Sequence, residues 1–152
     1  MQKNMVQIVR EFQIDGNLIH VESYGTGHIN DTFLVACNKD KHTIRYTLQR
    51  INHSIFKSPP DVMKNIGRVT DHIRCKLQQA GLTNTTRHVL TVIPTHNDEG
   101  CYRDNEGNYW RIYNFIDRTR TYDVLDTPTQ AYKAARAFGR FQKYLVDLPA
   151  PH

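Results

Sequence analysis

The ten residues His42–Ile51, HTIRYTLQRI, decide how this chain folds. β-branched and aromatic residues crowd the stretch, which favours a strand over a helix. Side chains alternate across a strand, so Ile44, Tyr46, Leu48 and Arg50 share one face. Immediately upstream, NKDK (38–41) is a polar turn, and DTFLVACN (31–38) and LIHVESY (18–24) read as two further strands. Three consecutive strands with short connections make an antiparallel meander. Its first connection, SYGTGHIN (23–30), carries Gly25 and Gly27.

Helical spacing takes over on both sides of the meander. Met5, Ile8, Val9 and Phe12 follow i, i+3, i+4, i+7, which predicts an amphipathic helix over 3–13 that Asp15-Gly16 breaks. Downstream, Ser58 is a good N-cap and Pro59 suits the first helical position. Met63, Ile66, Val69, Ile73 and Leu77 then keep helical register up to a C-cap at Gly81. HVLTVIPT (88–95) predicts a fourth strand. NDEGCYRDNEGNYWRIYNFI (97–116) predicts a hairpin that turns at DNEG and ends in a fifth strand. After the polar connector DRTRTYDVLD, Thr127 caps and Pro128 opens a last helix, with Ala131, Ala134, Phe138, Phe141 and Leu145 in register.

The expected fold is therefore α+β: a five-stranded antiparallel sheet, one helix packed on it, an N-terminal helix and a C-terminal helix. That order of elements is also the order of a kinase nucleotide lobe. Residues 1–117 are expected to form such a lobe, and 118–152 a connector and one further helix.

Composition narrows the function. The 152 residues carry a net charge of +5, a balance that attracts phosphate of some kind. No apolar run approaches the roughly 20 residues of a membrane helix. No secretory signal opens the chain. Three widely spaced cysteines, Cys37, Cys75 and Cys101, fit neither a disulfide framework nor a zinc ribbon, so a cytoplasmic location and no metal site are expected.

The chemistry would gather around the glycine turn. Glycine lets backbone amides approach phosphate oxygens closely. Gly25 and Gly27 stand in a G-x-G-x-x-G spacing whose third position is Asn30. No Gly-Lys-Ser/Thr follows, which excludes a Walker loop, and the glycines precede a strand rather than a helix, unlike a Rossmann loop. If the Leu48 face looks onto the cleft, Leu48 roofs an adenine ring and Arg50 reaches the α/β-phosphates. An acid on the following helix, Asp61 or Asp71, would hold Arg50. The Asn114 carbonyl and Ile116 amide would read the adenine edge, with Tyr113 at the back of the pocket.

YGTGHINDTFLV (24–35), YTLQRINHSIFKSPPDVMKNIGRVTDHI (46–73), WRIYNFID (110–117) and AARAFGRFQKYL (134–145) resemble the N-terminal part of the aminoglycoside phosphotransferase/choline kinase-like superfamily. N-acetylhexosamine 1-kinase-like sugar kinases are the nearest in kind. The resemblance implies ATP, Mg²⁺ and transfer of the γ-phosphoryl to a sugar hydroxyl. It puts Gly25, Thr26, Gly27, His28, Ile29, Asn30 and Thr32 at the phosphates, and Arg50 in place of the usual third-strand lysine. Such kinases carry their catalytic and metal-binding carboxylates after the hinge. No His-x-Asp-x-x-x-x-Asn pattern occurs here, so the metal ligands are expected beyond residue 152 and the chain is expected to be inactive by itself. The expected partners are a nucleotide and a small sugar, with no membrane and no nucleic acid, and with self-association of the truncated chain.

Two other readings compete. Relatives of this group have been labelled mucin-desulfating sulfatases. No cysteine here stands in the Cys-x-Pro-x-Arg context that sulfatase chemistry needs. A basic nucleic-acid-binding module fits the charge, but the aromatic residues are dispersed instead of forming a stacking platform.

Overall fold

In the computed structural model of the chain, Gln2–Arg10 form a helix, α1, that buries Met5, Ile8 and Val9. The structure describes residues 2–150 other than Thr26, His28, Thr121 and Asp123 (for Gln2 and Lys3, the backbone alone). The helix stops before the residue 13 that its apolar spacing reaches. Residues 12–14 are used differently: Phe12 bridges to Thr95, and the Gln13 amide donates to the Pro94 carbonyl at 2.9 Å. Phe12 stays buried all the same.

The meander forms as Asn17–Ser23 (β1), Asp31–Lys39 (β2) and His42–Ile51 (β3). Gly16 enters it at φ +86°, where a Cβ would sit 2.6 Å from the Asn38 carbonyl oxygen, so only glycine fits. The β2–β3 turn holds Asp40 and Lys41 at φ 49° and 69°, the left-handed pair that a two-residue hairpin needs. After helix α2 (Pro59–Gln79) come Val92–Ile93 (β4), Tyr102–Arg103 (β5) and Tyr109–Asn114 (β6). The last helix, α3, spans Pro128–Leu145.

All pairings are antiparallel, in the order β1-β2-β3-β6-β4, with β5 also on β6. Among the described residues the sheet thus has six strands, not five. The sixth is the short first arm of the hairpin that ends in β6, paired through Tyr102↔Trp110 and Arg103↔Tyr109. The expected fourth strand shrinks to two residues. The His88 and Val89 amides turn back onto the Thr85 carbonyl, and Thr95 is taken by Phe12.

The chain divides into two compact units, Met1–Gly67 with Leu90–Phe115, and Arg68–Val89 with Ile116–His152. The division after Phe115 falls two residues before the expected one, and residues 68–89 group with the later segment. In the first unit, α1 and one sheet face enclose a core of Ile8, Val9, Phe12, Val35, Leu48 and Ile112, among others. Each such side chain, fully buried, contributes about 1.5–3 kcal/mol. The second unit has its own small core, Ile73, Leu77 and Val89, with Tyr144 and Leu145 against it. There α3 starts with a capping box: Thr127 accepts from the Gln130 amide, and the Gln130 side chain accepts from the Thr127 amide. Asp147 accepts from both His72, at 3.2 Å, and Lys76. Among the described residues, no helix is long and apolar enough to cross a membrane.

Candidate functional site

The period of two places each strand residue on one of two faces, and the register shows which face does what. Phe33 pairs with Leu48, Leu48 with Ile112, and Arg50 with both Asp31 and Trp110. This set lies on the α1 side. Leu48 is 0% exposed there, at the centre of the core, and so is not a surface for an adenine ring. Arg50 shares its face, as expected, but the face is the one α1 covers. Its Nε donates to Asp31 Oδ2 at 2.7 Å, and its Nη2 meets the same oxygen. Arg50 and Asp31 line a cavity of about 600 Å³ with Ser23, Phe33 and Trp110.

Neither helix acid holds Arg50. Asp61 accepts from the Ser58 hydroxyl at 2.5 Å, as a residue of the first helical turn, and Asp71 accepts from Arg74 at 2.6 Å. The partner is Asp31, which the strand register sets directly opposite.

The other face carries a polar row. Thr32, Gln49 and Arg111 are in register across β2, β3 and β6. Gln49 Nε2 donates to Thr32 Oγ1 at 3.0 Å, and Gln49 Oε1 accepts from Arg111 Nε at 3.1 Å and Nη2 at 2.9 Å. The third nitrogen, Nη1, meets Met63 Sδ of α2 at 3.8 Å, a weak acceptor. The guanidinium also stacks 5.1 Å from the Tyr113 ring centre. Arg111 is only 9% exposed, yet no described carboxylate is in ion-pair contact with it. A buried charge without a counter-charge is penalised by several kcal/mol.

The neighbours register both burial and that charge. Burial pushes the Tyr113 hydroxyl pKa up, with Arg111 pulling it back. Burial also raises the Cys101 thiol, Glu99 adds to the rise, and Arg111 opposes it. Cys101 is thus a buried core thiol beside the row, with its thiolate form disfavoured.

The glycine turn starts from the same row. The Tyr24 amide donates to the Thr32 carbonyl at 2.9 Å. Gly25 follows at φ +80°, with open space where a Cβ would be. Asn30 does not point along a loop of free amides: its side-chain oxygen accepts the Asn52 amide at 3.0 Å and ties the turn's far end to the segment after β3. Ile29 is exposed. Thr26 and His28, expected at the phosphates, lie outside the described residues.

At the end of β6, Asn114 is held on both sides. Its amide donates to the Thr91 carbonyl at 3.0 Å and its side-chain oxygen accepts the Thr91 amide at 2.6 Å. Tyr113 is buried against Ile51, Met63 and Cys101. Phe115 is met edge-on by the Tyr24 ring, 5.4 Å between centres, with Arg45 5.1 Å above it. Ile116 belongs to the other unit, where its carbonyl accepts from the Thr119 hydroxyl.

Gln49 and Arg111 are the residues that reading the sequence missed. The signal was present in two alternations, Tyr46/Leu48 against Thr47/Gln49 and Trp110/Ile112 against Arg111/Tyr113. An amphipathic α1 needs the more apolar set beneath it, which leaves the polar set on the far face. Among the described residues, no group of three His, Cys, Asp or Glu side chains could hold a metal ion. No family model matches the chain.

Proposed function

We propose that this chain is the nucleotide-binding part of a small-molecule kinase, which takes ATP as its Mg²⁺ complex and serves phosphoryl transfer to a sugar hydroxyl, of the amino-sugar class. Fold alone does not carry such a reading. The observation that carries it is the edge-on contact of Tyr24 with Phe115. Tyr24 is the root of the glycine turn and Phe115 follows the last strand. A phosphate-covering turn and an adenine-reading segment belong beside one another in a nucleotide site. The element order, with α2 inserted between the meander and the β4–β6 strands, supports the same reading. So does the resemblance of residues 24–35, 46–73 and 110–117 to aminoglycoside phosphotransferase-like kinases.

Phosphoryl transfer rests on positioning and on charge neutralisation, largely by metal ions. The residues here do the positioning and hold base and phosphates in place. Calorimetric titration with Mg·ATP tests this role. Binding is expected, weakened by Phe115→Ala and by Tyr24→Ala. Absence of Mg·ATP binding overturns the reading. So does tighter binding of a short oligonucleotide that falls steeply with salt, the mark of a nucleic-acid module.

A further inference from the structure

On the β3 face turned away from α1, Arg45 stands over Phe115 and the position beside Met63 of α2 is the neutral Gln49, with Arg111 of β6 next to it. We infer that Arg111, braced by Gln49, is the cation that binds the polyphosphate of the nucleoside triphosphate, rather than Arg50 of β3. This rests on the nucleotide reading above and names the residue that does its phosphate work.

Three observations converge on it. First, Arg111 is buried and charged, and among the described residues it faces Gln49, Met63, Tyr113 and Cys101 but contacts no carboxylate. An apolar side chain of similar volume would satisfy the fold better than an uncompensated guanidinium. A bound anion supplies the missing counter-charge.

Second, the charge is aimed. Both bonds to Gln49 Oε1 draw the fork across the ladder toward β3, which is toward the glycine turn. The path is continuous: Arg111 to Gln49, Gln49 to Thr32, and the Thr32 carbonyl to the Tyr24 amide at the base of the turn. From β2 to β6 is two inter-strand spacings, roughly 10 Å. A polyphosphate chain lying under the turn comes within reach of an arginine that already spans one of those spacings. Third, Arg50 is engaged elsewhere. It lies on the opposite face, paired with Asp31. Arginine suits the role because its planar fork keeps donors for oxyanions while another edge is held.

Calorimetry with Mg·ATP, inorganic tripolyphosphate and adenosine tests this on the wild-type chain, Arg111→Lys, Arg111→Met and Arg50→Met. Both Arg111 variants are expected to lose at least tenfold in affinity for ATP and for tripolyphosphate, with adenosine unchanged. Arg50→Met is expected to bind all three within twofold of wild type. Wild-type affinity for ATP in the Arg111 variants overturns the inference and leaves the nucleotide reading standing. So does a tenfold loss in Arg50→Met instead.

Tripolyphosphate bound through Arg111, with ATP no tighter, upholds the anion site and ends the nucleotide reading. A wild-type chain that binds none of the three overturns both. Circular dichroism checks that each variant folds. Where the Arg111 variants do not fold, the Arg111 Nε–H resonance of the ¹⁵N-labelled wild type decides. It is expected to move on adding tripolyphosphate while that of Arg50 stays, and an Arg111 signal unmoved at saturating ATP overturns the inference.

Discussion

The two faces of the central sheet are built from the same strands and obey opposite rules. On the α1 face, Leu48, Ile112, Val35 and Phe12 interlock as an apolar core, and the charged Arg50–Asp31 pair stays at its solvated edge. On the α2 face, at the neighbouring positions 49 and 111, a half-buried amide meets a buried guanidinium that no described carboxylate pairs with. One residue of strand separates the two regimes. The first face makes the fold stable; the second carries groups that a stability argument alone does not call for.

The largest effect is expected on the α1 face. Leu48→Ala should remove about 4 kcal/mol, towards the upper end for a leucine, because the site is closed on all sides. Urea unfolding followed by Trp110 fluorescence measures it. A loss below about 2 kcal/mol would show that α1 does not seal this face. The next effect belongs to the other face. Gln49→Leu leaves Arg111 buried with the Met63 sulfur and the Tyr113 side chain but without its amide acceptor, and should cost about 3 kcal/mol. Gln49→Leu with Arg111→Met removes the stranded charge as well and should return to within about 1 kcal/mol of wild type. Strict additivity in that double-mutant cycle would break the contrast, since it would mean that the two side chains are independent.

Much of the architecture was readable from the chain. The alternation in HTIRYTLQRI defines β3 to the residue, and Ser58-Pro59 and Thr127-Pro128 mark where α2 and α3 begin. What misled was the choice of face. Period two says that Leu48 and Arg50 point the same way, and it is silent on which way that is. Arg50 looked like the cation of the site because it ends the apolar row, but that row is what α1 buries. Gln49 is a neutral amide and carries no charge signal in the sequence. Arg111 was hidden within YWRIYNFI, a segment that reads as apolar. The short β4 was illegible for another reason: Thr95 and Phe12 are 83 positions apart, and their bridge is a tertiary event.

A smaller effect sharpens the contrast from the hairpin side. Asp104 lies at the β5–β6 turn and accepts the Trp110 indole N–H at 2.8 Å, the Asn108 side chain at 3.0 Å and the Glu106 and Asn108 amides at 2.9 and 2.8 Å. Partial burial pushes its carboxyl pKa up, but these donors together outweigh burial and hold it below the ordinary carboxylate range. A lowered folded-state pKa contributes stability above the unfolded-state value of about 4, and that stability is lost as pH falls through the folded-state value. Asp104→Ala should therefore cost about 1–3 kcal/mol at neutral pH. It should also flatten the acid limb of the stability profile, read as the urea midpoint from neutral to strongly acid pH. An unchanged acid limb would mean that other carboxylates set it.

The smallest effect is the most diagnostic, because it compares two arginines at successive ladder positions. Arg50 is 46% exposed at its side chain and pairs with an Asp31 that is 53% exposed. Such a pair is solvated and screened, so Arg50→Met should change stability by about 0–1 kcal/mol, and less in high salt. Arg111 carries the same charge one register step away, inside the protein. A solvated cation costs the fold little and returns little. A buried one carries a desolvation penalty that the groups around it have to offset. If Arg50→Met unfolds the chain as readily as Gln49→Leu does, then Arg50–Asp31 is a structural clamp and the α1 face is not the self-sufficient one.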